Sequence, residues 1–495
     1  MRKITASLLL ATVGAAFGQA ADSAQAQALA KQAVADHQAL IATQEKQDEL
    51  DSQVKILQRL REIDKEDAAA AAASTPKIQA DAGGTWIRSA DSSYGFRPRV
   101  IARLGANWDL DDKNNVTLDN FQAQTVRLGF DATLGRVVDA KITVDLSKGN
   151  AASLQYGYVD LKYAPWLVAR FGKAGVPLAW ERSQSSSDLL FYDRALPSQI
   201  APDVDVGAEL WGKIGGGVVE YGIGVFDGAS DGSKNDKDVN DDKDAYGRLW
   251  LVPGKTSGNP WIEGLGFGVG GSIGFHSNDF GAYTLASYKT TAGNTFFSWN
   301  AADSASGVGW RVTPQLSWTA GSFWVYGEWI RSTEVLYKGA TSTSKDSIVP
   351  SGANKGEVIR TVKTAAGAPG IQLGADAWQA AVSWVVTGED ASPTGVKPRH
   401  PYGPDGWGAL ELSARVGGLA VDDNAFHGAV YADSTKSARS ALEFGLAANW
   451  HLVKGSRLQV GYERTQFEYG ALTASKTIRD RKPENQLFVL ASTTF

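Results

Sequence analysis

Phe96-Arg97-Pro98-Arg99-Val100-Ile101-Ala102-Arg103-Leu104-Gly105-Ala106-Asn107-Trp108 reads as one strand with two unlike faces. Phe96, Val100, Ala102, Leu104, Ala106 and Trp108 make one face. Arg97, Arg99, Arg103, Gly105 and Asn107 make the other, and only Pro98 and Ile101 break the alternation. Successive side chains of a strand point to opposite sides, so period two separates an apolar, aromatic-ended face from a cationic one. The pattern recurs. Trp310, Val312, Leu316 and Trp318 alternate with Arg311, Thr313, Gln315 and Ser317. Leu442, Phe444, Leu446, Ala448 and Trp450 alternate with Glu443, Gly445, Ala447 and Asn449.

One such strand also suits a soluble sandwich; the number and the connections decide more. Counting gives about sixteen segments from residue 78 to the end, an even number as bacterial barrels require. Short turns at Leu134–Val137, Ala164–Trp166, Gly215–Gly216 and Ala320–Gly321 alternate with long loops at Asp109–Asn120, Lys173–Val206, Asp227–Asp244, His276–Val308 and Ser332–Ala375. Gly388–Gly406 is long where a short turn is due. Leu487, Val489, Ala491, Thr493 and Phe495 share one face of a terminal strand. A barrel leaves no free edge, so that strand has to pair with the first. The predicted fold is all-β, a transmembrane antiparallel barrel of about sixteen strands behind an α-helical, coiled-coil-like segment.

Composition agrees. The chain has 495 residues with Gly 54, Trp 16, Tyr 15 and Phe 18, yet mean hydropathy is only -0.22. Beyond the N-terminus no apolar run reaches the roughly 18 residues of a spanning helix. With Cys 0, disulfides and thiolate chemistry are excluded. A net charge of -5 argues against nucleic acid as a partner. Residues 1–21 read as a signal peptide: Arg2 and Lys3, the apolar stretch Ala6–Phe17, then small Gly18 and Ala20. Residues 22–67 read as a periplasmic helix with an imperfect heptad seam at Leu29, Leu40, Leu50, Val54 and Leu57, and residues 68–77 as a linker.

Several stretches resemble the phosphate-selective porin family, O and P type. Val126-Arg127-Leu128-Gly129-Phe130-Asp131-Ala132-Thr133-Leu134-Gly135 looks like an early hairpin of that family. Phe171-Gly172-Lys173, Pro177, Ser187–Phe191, Asp193–Pro197 and Ala201-Pro202 look like its third loop. Thr387-Gly388-Glu389, Lys397–Pro401, Gly408–Leu412 and Arg415 look like its long turn, which accounts for Gly388–Gly406. The resemblance covers roughly residues 80–495. It implies an outer-membrane homotrimer surrounded by lipid and lipopolysaccharide, with the third loop, residues 173–206, folded into each lumen. It departs from the family at Lys173-Ala174-Gly175-Val176-Pro177, where members often carry a further Lys before the Pro.

In a pore, charge placement does the chemistry. The candidate pore-lining, anion-binding residues are Arg97, Arg99, Arg103, Arg127, Lys141, Lys162, Arg170, Lys173, Arg182 and Arg194. Guanidinium rows bind oxyanions bidentately, so small anionic solutes such as phosphate are the expected cargo. Against this stand Asp131, Asp145 and Asp160, and Glu181, Asp188, Asp193, Asp203 and Asp205 around the third loop. Pairing such as Arg127 with Asp145 would leave a diffusion porin without anion preference. A barrel enzyme or an adhesin is the remaining alternative, and no coherent Ser/His/Asp set supports the enzyme. No cofactor is called for. Gly266, Gly268 and Gly271 lie within an alternating strand and lack the strand-turn-helix setting of a dinucleotide site; small residues there would relieve barrel curvature. The acidic run Asp231–Asp244 reads as a solvated extracellular loop and not a calcium site.

Overall fold

A computed structural model describes residues 24–81, 84–110, 120–147, 151–234, 241–276, 283, 285–338, 341–348, 358–365, 368–473 and 475–495. The proposed signal peptide lies outside these residues. Two compact units are present, residues 1–75 and 76–495.

The second unit is a barrel. Its strands are β1 (Gly95–Asp109), β2 (Asn120–Leu134), β3 (Val138–Asp145), β4 (Ser153–Ala164), β5 (Leu167–Gly175), β6 (Val204–Ile214), β7 (Val219–Phe226) and β8 (Asp244–Leu251). They continue as β9 (Gly264–His276), β10 (Gly307–Ala320), β11 (Phe323–Lys338), β12 (Ala368–Val385), β13 (Ala409–Val421), β14 (Ala438–Val453), β15 (Ser456–Leu472) and β16 (Glu484–Thr494). Each pairs antiparallel with the next. The ring closes where β16 meets β1, from Gln486 opposite Asp109 to Thr494 opposite Ile101. Phe495 extends the clasp: Val100 N donates to its carbonyl at 2.8 Å and its own N donates to Val100 O at 3.1 Å. Sixteen strands close on themselves, as the alternation requires.

The two faces of each strand part as the sequence implies. Leu104, Phe130, Ile142, Leu446 and Val460 are exposed on the outside, while Arg103, Gln459 and Glu463 are buried inside. Ile101 also turns inward, keeping step with Arg99 and Arg103. Outward aromatics pair at the short-turn end: Tyr163 with Trp166, Trp261 with Trp318, Phe323 with Trp384, and Trp407 with Trp450. Amphipathic rings at the two edges of an apolar band are how such barrels meet the membrane interface. Two connections on the short-turn side are long. Residues 386–408 were anticipated; residues 252–263 were not, because the small helix Pro260–Glu263 has no alternation to reveal it. A two-strand hairpin, Lys77–Asp81 with Gly84–Arg88, precedes β1 and pairs with it at Ile87 and Arg88.

The first unit contains one helix, α1 (Ala24–Ser74). It runs on through Ala68–Ala73, which the sequence reading assigned to the linker; alanine is the strongest helix former, so the run prolongs the helix until Pro76. Leu50, Val54 and Leu57 are 49–59% exposed. Among the described residues no helix is long and apolar enough to cross a membrane.

A charge on the outer wall tests the placement of that wall. Leu446 is 60% exposed at the middle of β14. Leu446→Arg is expected to lower the unfolding free energy in lipid vesicles by about 2–4 kcal/mol, the cost of such a cation near the bilayer midplane. Denaturant titration with tryptophan fluorescence reads it; a change below about 0.5 kcal/mol would put this face in water.

Candidate functional site

Residues 176–203, between β5 and β6, turn into the barrel. They form three short helical turns, Trp180–Ser183, Ser186–Asp188 and Leu196–Gln199, and most of their carbonyls have no ladder to join. Buried carbonyls need donors, and the barrel wall supplies them. Arg103 Nη2 on β1 donates to Phe191 O at 3.3 Å and Tyr192 O at 2.7 Å. Gln124 on β2 donates to Tyr192 O at 2.7 Å. Gln315 on β10 donates to Leu178 O at 2.6 Å, and Arg415 on β13 to Asp193 O at 3.0 Å. Asn449 on β14 and Gln459 on β15 both reach Leu190 O, at 3.3 and 2.5 Å, while Arg457 binds Leu189 O. Glu328 on β11 accepts from Trp180 N at 2.9 Å. Strands from both sides of the ring therefore hold one segment. Its Leu178, Leu189, Leu190, Phe191, Leu196 and Ile200 are at most 3% exposed.

The glycines of β9 follow from the same packing. A Cβ on Gly266 would lie 2.5 Å from the Trp250 ring, and one on Gly270 would lie 2.3 Å from Leu178 O. These residues make room for an indole and for the inserted segment. That is a more specific cause than barrel curvature.

Nine of the ten predicted basic residues divide into three groups; the tenth, Lys173, is buried on β5. Four are tied to carboxylates on neighbouring strands: Arg97 to Asp131, Arg127 to Asp145 at 2.9 Å, Lys162 to Asp139 at 2.8 Å, and Arg170 to Asp160 at 2.7 Å. Arg99 stands further from Asp131, at 3.5 Å. A second group serves the inserted segment. Arg103 is 1% exposed and spent on carbonyls, so it offers no guanidinium to a solute. Arg182 binds the carbonyls of Ala201 and Ser198, and Arg194 those of Glu181 and Gln184. Lys141 forms the third group alone: no carboxylate lies within ion-pair reach among the described residues, and its Nζ sits 4.9 Å from the Tyr156 ring.

Acidic residues of the inserted segment are also engaged. Burial works to raise the pKa of Asp203, but Arg182, Arg194 and Lys234 outweigh it and hold the carboxyl below its ordinary range. Burial pushes the Asp188 carboxyl up. Asp231 and Asp244, read from sequence as solvated, are buried counter-ions of Arg311 at 2.8 and 3.4 Å. The reason is long-range: Arg311 comes from β10, and no local pattern announces it.

Three cavities meet at Lys141. One of about 460 Å³ lies beside residues 175–183 and reaches Arg170 and Arg248. One of about 130 Å³ lies among Arg99, Arg127 and Ser185. One of about 500 Å³ opens beside Trp86, Arg97 and Lys162. Eleven Lys and Arg residues line them against five Asp and Glu. Arg248 was not among the predicted residues. It lies in step with Asp244, Tyr246 and Trp250 on β8, and that alternation was a usable signal.

The model of the family described as phosphate-selective porin O and P matches residues 102–463. The chain belongs to this family. No curated protein matches the sequence. Among solved structures, the trimer form of OmpT, an outer membrane protein of Vibrio cholerae, is 10% identical over 81% of this chain and 100% of its own, with a TM-score of 0.48. The outer membrane channel DcaP of Acinetobacter baumannii is 12% identical over 82% of this chain and 99% of its own, TM-score 0.48. The anion-selective porin of Comamonas acidovorans is 11% identical over 81% and 100%, TM-score 0.47. This porin is an outer-membrane channel.

Removing the donor that Arg103 supplies should loosen the inserted segment. In planar bilayers Arg103→Leu is expected to raise open-channel noise and mean conductance, and stability should fall by about 1–3 kcal/mol as the carbonyls lose their partner. Conductance and noise equal to the parent's would mean that the other wall donors hold the segment unaided.

Proposed function

We propose that this porin passes small anions, phosphate among them, through the gap between residues 176–203 and the wall formed by β1–β8. The observation that carries this reading is Lys141, a cation without a carboxylate partner among the described residues at the point where three cation-rich cavities meet. A narrow lumen with low-dielectric walls focuses the field, so a small excess of one sign counts for much. Paired guanidinium groups still present donors, and an anion leaving one can reach the next without being trapped. The inserted segment acts as the constriction. A second reading, a diffusion pore for solutes of either sign, is favoured by the pairing of Arg97, Arg127, Lys162 and Arg170 with carboxylates.

The reversal potential of single channels in a KCl gradient separates the two. Anion preference is expected for the parent. Lys141→Gln should shift the reversal potential toward cations, most clearly at low salt, where screening is least. An unshifted potential at low salt would take the selectivity away from Lys141.

The same proposal has this porin work as a homotrimer in a lipid and lipopolysaccharide membrane, with α1 in the periplasm. Leu50, Val54 and Leu57 are wet in a single copy. Pairing of three helices along this seam would cover them. Deleting residues 27–67 is expected to leave a conducting barrel whose oligomers melt at lower temperature in mild detergent. Oligomer melting equal to the parent's would count against the seam.

A further inference from the structure

The 460 Å³ cavity at Lys141 is too large and too aromatic for a bare oxyanion. A water occupies about 30 Å³ of liquid, and a phosphate ion only a few times that. Four rings, Tyr156, Tyr158, Trp211 and Tyr221, line this cavity together with Lys141, Arg170 and Arg248. Arg170 Cζ lies 4.1 Å from the Tyr158 ring centroid and 5.3 Å from that of Trp211. Such stacking holds the rings and the guanidinium as one surface, part aromatic and part cationic. Pro177 and Leu178 of the inserted segment also line the cavity.

The carboxylates of this cavity are already answered. Glu209 lies 3.5 Å from Arg170, and Glu220 lies 2.9 Å from Lys213. Lys141 and Arg248 have no carboxylate partner among the described residues; Arg248 Nε instead donates to Gln315 Oε1 at 2.9 Å. Two cations without carboxylate partners among the described residues therefore stand beside four rings.

We infer that this cavity is a transit subsite for aromatic carboxylates, ions of the benzoate class. The ring of the solute lies against the surface that Tyr158, Trp211 and the Arg170 guanidinium make together, and its carboxylate is met by Lys141 or Arg248. A flat π-face gains from aromatic and guanidinium surfaces what an aliphatic ring of the same charge does not. The inference rests on the anion reading above and narrows it to a chemical class.

Block of single-channel chloride current by benzoate and by cyclohexanecarboxylate tests it on the full-length protein in planar bilayers. The two ions share charge and approximate size but differ in the π-face. Benzoate is expected to block at about fivefold lower concentration, which corresponds to about 1 kcal/mol at 1.4 kcal/mol per tenfold. In Trp211→Leu and in Tyr158→Leu the ratio should fall toward one; heat-modifiable migration on gels confirms that each barrel is folded. Equal block by the two ions in an anion-preferring parent overturns the subsite and leaves the anion reading standing. A ratio that survives in both variants overturns it as well. A reversal potential without anion preference removes the underlying reading and the subsite with it.

Discussion

A peptide group facing lipid has nowhere to place its hydrogen bond except on another peptide group, and the pairing of β16 with β1 meets that constraint for the whole chain. Were those two edges left open, each unpaired group would cost several kcal/mol in the hydrocarbon. Closure then dictates the rest. It makes one face of every strand an outer wall, which must be apolar, and the other an inner wall, which has to find polar work. Phe495 sits at this seam, with its backbone joined to Val100.

The inner wall finds its polar work in two ways. On β10, β11 and β13–β15 it supplies donors and acceptors to the irregular backbone of residues 176–203, through Gln315, Glu328, Arg415, Asn449, Arg457 and Gln459. Arg415 shows how far this goes. Its side chain is fully buried; it ion-pairs with Glu443 at 2.7 Å, donates to Glu463 at 2.8 Å, and its Cζ lies 4.3 Å from the Phe191 ring centroid. Burying a charge is tolerated when opposite charge stands beside it, and removing one partner of such a set leaves the others stranded. On β1–β5, apart from Arg103 and Gln124, the same kind of residue pairs across strands and lines cavities. The three cavities thus lie along β1–β8, while the wall from β10 to β15 is largely taken up by the inserted segment.

That asymmetry joins structure to permeation. Where donors are consumed by the inserted backbone, no solute can use them. Where Arg97, Arg127 and Arg170 are consumed by carboxylates, their charge is largely cancelled but their surface remains. Under the proposed function, selectivity falls to cations outside both arrangements, Lys141 and Arg248 among them.

Much of this was legible in the order of residues. Alternation in stretches such as Phe96–Trp108 and Leu442–Trp450 decides which side chains face outward, because the period of a strand is two and a slip of one residue would expose every charge. Hence the strand number, the apolar belt, the closing strand at Phe495 and the inward set of arginines could be written from sequence. Partner choice could not. Arg103 and Arg99 look alike on one face of one strand, yet Arg103 is buried on Tyr192 O and Arg99 is left facing a cavity. Asp231 looks like a loop carboxylate, yet it is the counter-ion of Arg311, 80 residues away. Chain order sets the face on which a side chain points. What it meets across the lumen depends on closure and on the path of residues 176–203, so only the tertiary structure decides which charges are spent and which remain for a solute.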